Sequence, residues 1–214
     1  VIGPADFRKE IGKKGTSTDI TFYNLKKGEA TLTIIEPSRY PEKISSLYYA
    51  ASLSTVAVVV IESITASLGE CILELNCAGI KKGYLILRNY LDASQIAPLI
   101  KGTVLEGYTT LPDDMNVLRE QLLSDAEAIA ETAGKEPGIV PIDHHFNVKG
   151  IGTVILGCVH DGTIHKHDQV TVHPIGKTVQ IRSIQKHDDD VADAFSGDRV
   201  GLALKGIEAE ELDR

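Results

Sequence analysis

Apolar residues come in short, dense runs through the first half of the chain, and the spacing of the runs changes character near residue 134. Three runs rich in β-branched residues, TLTII (31 to 35), TVAVVVI (55 to 61) and GYLILR (83 to 88), predict strands. The two later ones are apolar on both faces, the pattern of a sheet covered by helices on each side. Between them, 41 to 52 and 66 to 78 carry helical spacing, which predicts βαβ units and a largely parallel sheet. A last helix is predicted from Met115 to Ala133. Asp113 and Asp114 offer N-caps, Leu118, Leu122, Ala126, Ile129 and Ala133 form an apolar stripe, and Gly134 supplies a stop.

The stretch GKEPG (134 to 138) marks a boundary. Beyond it, short alternating segments are broken by turns: GTVILGCV, the Asp161-Gly162 pair, DQVTVHPI, KTVQIRSI and DRVGLAL. That pattern predicts a small antiparallel β-barrel. The expected organisation is therefore an α/β domain over residues 1–134, followed by a barrel over 138–214.

Charge and cysteine content narrow the function classes. A net charge of −8 over 214 residues argues against broad, salt-driven attraction to nucleic acid, while leaving room for a local basic patch. Cys71, Cys77 and Cys158 give no even disulfide framework. Cys71 and Cys77 fall in the predicted second helix, so buried free thiols in a reducing cytoplasm are expected. The longest apolar stretch, around STVAVVVIE, is too short to span a bilayer. The chain begins at Val1 without a methionine and stops in the charged EELDR, as a piece of something longer would.

The run GKKGTSTDIT (12 to 21) holds the glycines, lysines and hydroxyls of a phosphate-cradling loop in the wrong order, since Lys13 precedes Gly15. Such a loop needs G-x-x-x-x-G-K-[ST], so that backbone N–H groups wrap the phosphates before the lysine reaches them. The nearest in-frame match, GPADFRKE, keeps Gly3 and Lys9 but places Arg8 and Glu10 at the second glycine and the hydroxyl. Taken alone, it reads as a turn ahead of a short helix. All seven histidines lie between His144 and His187, yet no ligand spacing for a metal is recognisable, and HDDD (187 to 190) reads as a solvated turn.

From Gly138 onward the residues carry a resemblance. Gly150, Gly152, Thr153, Val154 and Gly157, then Gly162 and Ile164, then Gly197, Val200, Gly201, Gly206 and Ile207 match the signature of the second domain of elongation factor Tu and its relative SelB. The first part resembles that family's P-loop GTPase domain in degenerate form. The runs GKKGTSTDITFYN, IDHHFNV and IRSIQKHD are most similar to archaeal SelB-like factors linked to pyrrolysine. The resemblance places GKKGTSTDIT in the switch I region. It puts the outer-phosphate motif D-x-P-G-H on EPSRY, with Tyr40 where the family has its water-positioning histidine. The guanine-reading N-K-x-D falls on NYLD, keeping Asn89 and Asp92 but not the lysine, which is Tyr90; a faint trace of S-A-x stands near Thr109 and Thr110.

What the resemblance implies is a translation elongation factor that handles aminoacyl-tRNA on the ribosome in the cytoplasm, with GTP and GDP binding weak or lost, Mg²⁺ present only with nucleotide, and no catalytic residue. Gly3, Lys9, Asn89 and Asp92 are the implied nucleotide contacts. Lys149, Arg182 and Lys186 are the expected RNA contacts; neither DNA nor membrane is expected as a partner. The alternative is a non-enzymatic RNA- or protein-binding module that retained the fold. From the residues alone, Asn89 and Asp92 read as ordinary helix-capping residues.

Overall fold

The computed structural model describes residues 1–3, 13–27, 30–130, 138–186 and 189–213. They form two compact units, Val1–Ala128 and Ile129–Arg214. In the first, β1 (Lys13–Ser17), β2 (Thr21–Lys27) and β3 (Ala30–Glu36) make an antiparallel sheet. There follow α1 (Ile44–Ser52), β4 (Val56–Ile61), α2 (Ala66–Cys77), β5 (Lys82–Leu87), α3 (Ala93–Ile100), a 3₁₀ turn at Val104–Gly107, β6 (Thr109–Leu111) and α4 (Met115–Ala130). β4, β5 and β6 are parallel, and Ile2 bridges Val59 in the same sense. The expectation of one largely parallel sheet thus needs correcting. β3 pairs with β2, and only residues 28 and 29 separate them, a connection that admits antiparallel pairing alone.

Strand periodicity sorts the parallel sheet into two cores. Ala57, Val59, Ile61 and Leu85 pack with Leu68, Ile72, Leu75 and Ile96 of α2 and α3. Val58, Val60, Tyr84 and Ile86 pack with Leu118 and Leu122 of α4 and with Tyr23 and Ile34. Alternate residues point to opposite faces, so a run apolar at every position is what two covered faces require. Each fully buried Ile or Leu is worth about 1.5–3 kcal/mol. Gly83 lets the Tyr108 ring lie on β5, because a Cβ there would stand 2.3 Å from the ring. Asp125 ties α4 to the sheet by accepting from the Tyr84 hydroxyl at 2.6 Å and pairing with Lys82 at 2.7 Å. Cys71 is buried, but Cys77, at the last residue of α2 and off its Leu68–Cys71–Ile72–Leu75 face, is exposed, contrary to expectation.

The second unit is entirely antiparallel. Its strands are β7 (Ile142–Val148), β8 (Gly152–Cys158), β9 (Thr163–His165), β10 (Gln169–Val172), β11 (Lys177–Lys186), β12 (Asp189–Val191), β13 (Asp193–Phe195) and β14 (Arg199–Lys205). They run in the order β10-β11-β14-β8-β7, with β12 on β11 and β9 paired to β13. Ile155, Ile164, Ile181, Ile184, Leu202 and Leu204 fill the core. Asp189 and Asp190, read as a turn, instead open β12 on the exposed edge of β11. The Arg199 guanidinium grips the Asp143 carboxylate, one of its two bonds at 2.8 Å, which joins β14 to β7 across β8.

Candidate nucleotide and RNA sites

The carboxyl ends of parallel strands are where open α/β sheets place ligands. Here the loops after β4, β5 and β6 are joined by one side chain. Arg88 holds Asp113 through Nε at 2.8 Å and Nη2 at 3.0 Å, and its Nη1 lies 3.4 Å from Glu62. Neither residue was singled out for this from sequence: Arg88 closes an apolar strand run, and Asp113 was read as an N-cap. The cap is Asp114, whose Oδ1 accepts from Asn116 N at 2.8 Å.

The two positions expected to read the base follow Arg88 along the chain. Asn89 and Tyr90 are left-handed, with φ of 53° and 62°, a conformation that costs non-glycine residues about 1–2 kcal/mol each. Asn89 donates from Nδ2 to the Glu62 carbonyl at 3.3 Å, and Tyr90 points fully into solvent. Asp92 caps α3. Its Oδ1 accepts from Ser94 N at 2.8 Å, Gln95 N at 3.3 Å and the Ser94 hydroxyl at 2.5 Å, while Gln95 Oε1 accepts from Asp92 N to complete a capping box. The Ser94 hydroxyl, then the Ser94 backbone N–H, hold the carboxyl below its ordinary pKa.

The loop after β3 is equally committed to the protein. Glu36, at the family's aspartate position, is buried and accepts from the Tyr23 hydroxyl at 2.7 Å. Tyr40 sends its hydroxyl to α2, donating to the Ser67 carbonyl at 2.7 Å and lying 2.8 Å from Glu70 Oε2. Burial, and next the Glu70 carboxylate, push the phenol well above its ordinary pKa, so it stays a proton donor. The hydroxyl is thus held against the first turns of α2.

Gly3 passes so close to β4 that a Cβ would stand 2.7 Å from Val60 Cβ, and this packing accounts for the glycine. Arg8, Lys9 and Glu10 lie outside the described residues. Beside Gly3 is a cleft of about 260 Å³ lined by Pro37, Tyr40, Glu62, Thr65, Ser67 and Cys71 among others. That is below the roughly 300–1,000 Å³ usual for small-molecule sites.

In the second unit the three expected RNA contacts part company. A bulge between Ile181 and Ser183 leaves Arg182 without a ladder partner on β14. Arg182 is exposed, and its guanidinium donates to the Ile151 carbonyl at 3.0 Å, beside the β7–β8 turn that carries exposed Lys149. Lys186 is instead paired with Asp198 at 2.9 Å and sits 5.9 Å above the Phe195 ring. Three of the histidines lie beside carboxylates, His144 with Asp143, His145 with Asp213 and His165 with Asp193. Among the described residues, no group of three or more potential ligands is placed to hold a metal.

Residues 152–214 match elongation factor Tu domain 2. An uncharacterised protein of Methanocaldococcus jannaschii is 43% identical over 207 residues, 96% of this chain and 66% of that protein. The selenocysteine-specific elongation factor of the same organism is 28% identical over 98% of this chain and 49% of its own length. The chain is homologous to selenocysteine-specific elongation factors and carries an elongation factor Tu domain 2. Its fold is that of the apo translation elongation factor SelB of Methanococcus maripaludis, with a TM-score of 0.73 at 23% identity over 98% of this chain and 52% of that one. The chain thus spans about half to two thirds of these relatives' lengths, and its α/β unit is a partial GTPase domain. Among the described residues, no helix is long and apolar enough to cross a membrane.

Proposed function

We propose that this elongation-factor-like chain handles aminoacyl-tRNA, on the ribosome in the cytoplasm, while guanine nucleotide binding and hydrolysis are weakened or lost. The observation that carries this reading is that the side chains at the family's nucleotide positions are engaged by the protein itself. Tyr40 hydrogen-bonds α2, and Asp92 Oδ1 accepts three hydrogen bonds from its own helix start. The described residues therefore fit a guanine nucleotide and its Mg²⁺ poorly. Phosphoryl transfer is catalysed by positioning and electrostatic stabilisation, and a phenol turned into a helix supplies neither to an attacking water. Domain boundaries at 1–134 and 138–214 are part of the same reading.

RNA contact falls to the second unit. Lys149 and Arg182 offer two cations on one surface, which would hold phosphates and fix the register of the RNA. The test is filter binding of aminoacyl-tRNA over a salt series. The expected slope of log K against log salt is roughly −2, reporting about two phosphates, and Lys149→Ala/Arg182→Ala should abolish it. Lys186→Ala should do less, since Asp198 already neutralises that ammonium. Unchanged affinity in the double variant removes this surface from the reading.

A further inference from the structure

The turn between β1 and β2 and the loop after β3 are joined directly, through one residue. The Asp19 carboxylate pairs with the Lys43 ammonium, and its Oδ1 lies 3.7 Å from Arg39 Nη1. The Asp19 carbonyl accepts from the hydroxyl of fully buried Ser46 and from Arg39 N at 3.4 Å. Two residues on, Thr21 shares a hydrogen bond with Ser38. Both polar ends of Asp19 thus reach the 38–46 segment, some twenty residues away in sequence. These contacts hold together the two segments that the resemblance sets at switch I and at the outer-phosphate motif.

We propose that Asp19 is a built-in staple that fixes these two segments in a single arrangement, taking the place of the phosphate and metal contacts that order GTPase switches. In such switches the two segments become ordered only while the outer phosphate and its metal contact them, and they are released on hydrolysis. Here the ordering contacts are intramolecular, so ligand binding has no second arrangement to select, and a ligand shifts an equilibrium only by its differential affinity for two states. The inference rests on the proposed weakening of nucleotide control, and it extends that reading from binding to conformation.

Hydrogen exchange measured peptide by peptide reads the staple, because local opening sets the exchange rate of each segment. Without nucleotide, peptides covering 18–23 and 38–47 of the unaltered chain should be protected, and GTP or GDP with Mg²⁺ should leave both unchanged within about twofold. Asp19→Ala should speed exchange at least about tenfold in both peptides, and the reversed pair Asp19→Lys/Lys43→Asp should restore part of the protection in 38–47. If Asp19→Ala does not fold, Lys43→Ala removes the ion pair alone and should still loosen both peptides. The proposal is overturned if the variants affect only the peptide that carries the substitution, or if nucleotide changes protection of both peptides in the unaltered chain. Tight nucleotide binding with exchange unchanged would sink the weak-nucleotide reading and support the staple.

Discussion

Replacing Tyr40 by phenylalanine removes one oxygen and nothing else. That oxygen carries one proton, shared between two acceptors on α2, the Ser67 carbonyl at 2.7 Å and the Glu70 carboxylate at 2.8 Å. A neutral hydrogen bond contributes about 1 kcal/mol net and one to a charged group about 1.5–3 kcal/mol. Glu70 is exposed, so its share is discounted for solvent screening, and the sum comes to about 1–2 kcal/mol. For a unit of this size that corresponds to a drop in Tm of roughly 4–8 °C. Apart from the last two residues of α4, the α-helices of the described residues lie in the first unit, so thermal melting followed by helical circular dichroism reports chiefly on the relevant transition. Tyr40→His should melt at a similarly lowered temperature and should gain no ribosome-stimulated GTP cleavage, because the side chain at 40 faces α2. An unchanged Tm in Tyr40→Phe would refute this account of the hydroxyl, and turnover in Tyr40→His would place the residue at the nucleotide after all.

The capping carboxylate gives a pH signature. A group whose folded pKa is depressed contributes stability above its unfolded value, about 3.9 for aspartate, and that contribution fades as pH falls through the folded value. Urea midpoints should therefore fall more steeply below pH 4 for the unaltered chain than for Asp92→Asn, which keeps a good N-cap without the titration; parallel curves would remove Asp92 as the titrating cap. Gly83→Ala should destabilise the first unit by about 1–3 kcal/mol in urea melts, because the new methyl collides with a buried Tyr108 ring whose hydroxyl is anchored at 2.7 Å to the Ile80 carbonyl. A neutral effect would mean the ring can move aside. Calorimetric titration with GDP, GTP and ADP should show weak binding, with guanine preferred over adenine only if Asp92 gives up part of its cap; sub-micromolar GTP affinity would contradict the reading of Tyr40 and Asp92 together.

The strands and helices with strong periodicity were legible from sequence because burial dictates them. The apolar run at 55 to 61 had to be a strand covered on both sides, and the two cores on either face of β4 bear this out. The β1–β2 hairpin was not legible, since GKKGTSTDIT is polar and its placement is fixed by pairing with β3 and by the contacts of Asp19 with Lys43 and Ser46, more than twenty residues on. β7 escaped for a related reason: as an edge strand it is at most half-buried throughout, so IDHHFNV has no alternation to read. The site residues divide in the same way. Asp92 was legible both as a base-reading position and as a cap, and local spacing cannot choose between them. The Arg88 bridge to Glu62 and Asp113, and the turning of Lys186 onto Asp198, depend on which loops the topology brings together.

The central claim is that this elongation-factor-like chain engages aminoacyl-tRNA without guanine nucleotide in control. Filter-binding affinity of the unaltered chain for one aminoacyl-tRNA, at fixed salt, compared with no nucleotide, with GDP and with GTP in the presence of Mg²⁺, tests it most directly. The account predicts binding whose affinity agrees within about twofold across the three conditions, a difference of under roughly 0.5 kcal/mol. Affinity that tightens tenfold or more with GTP over GDP, which is about 1.4 kcal/mol of coupling, would contradict it.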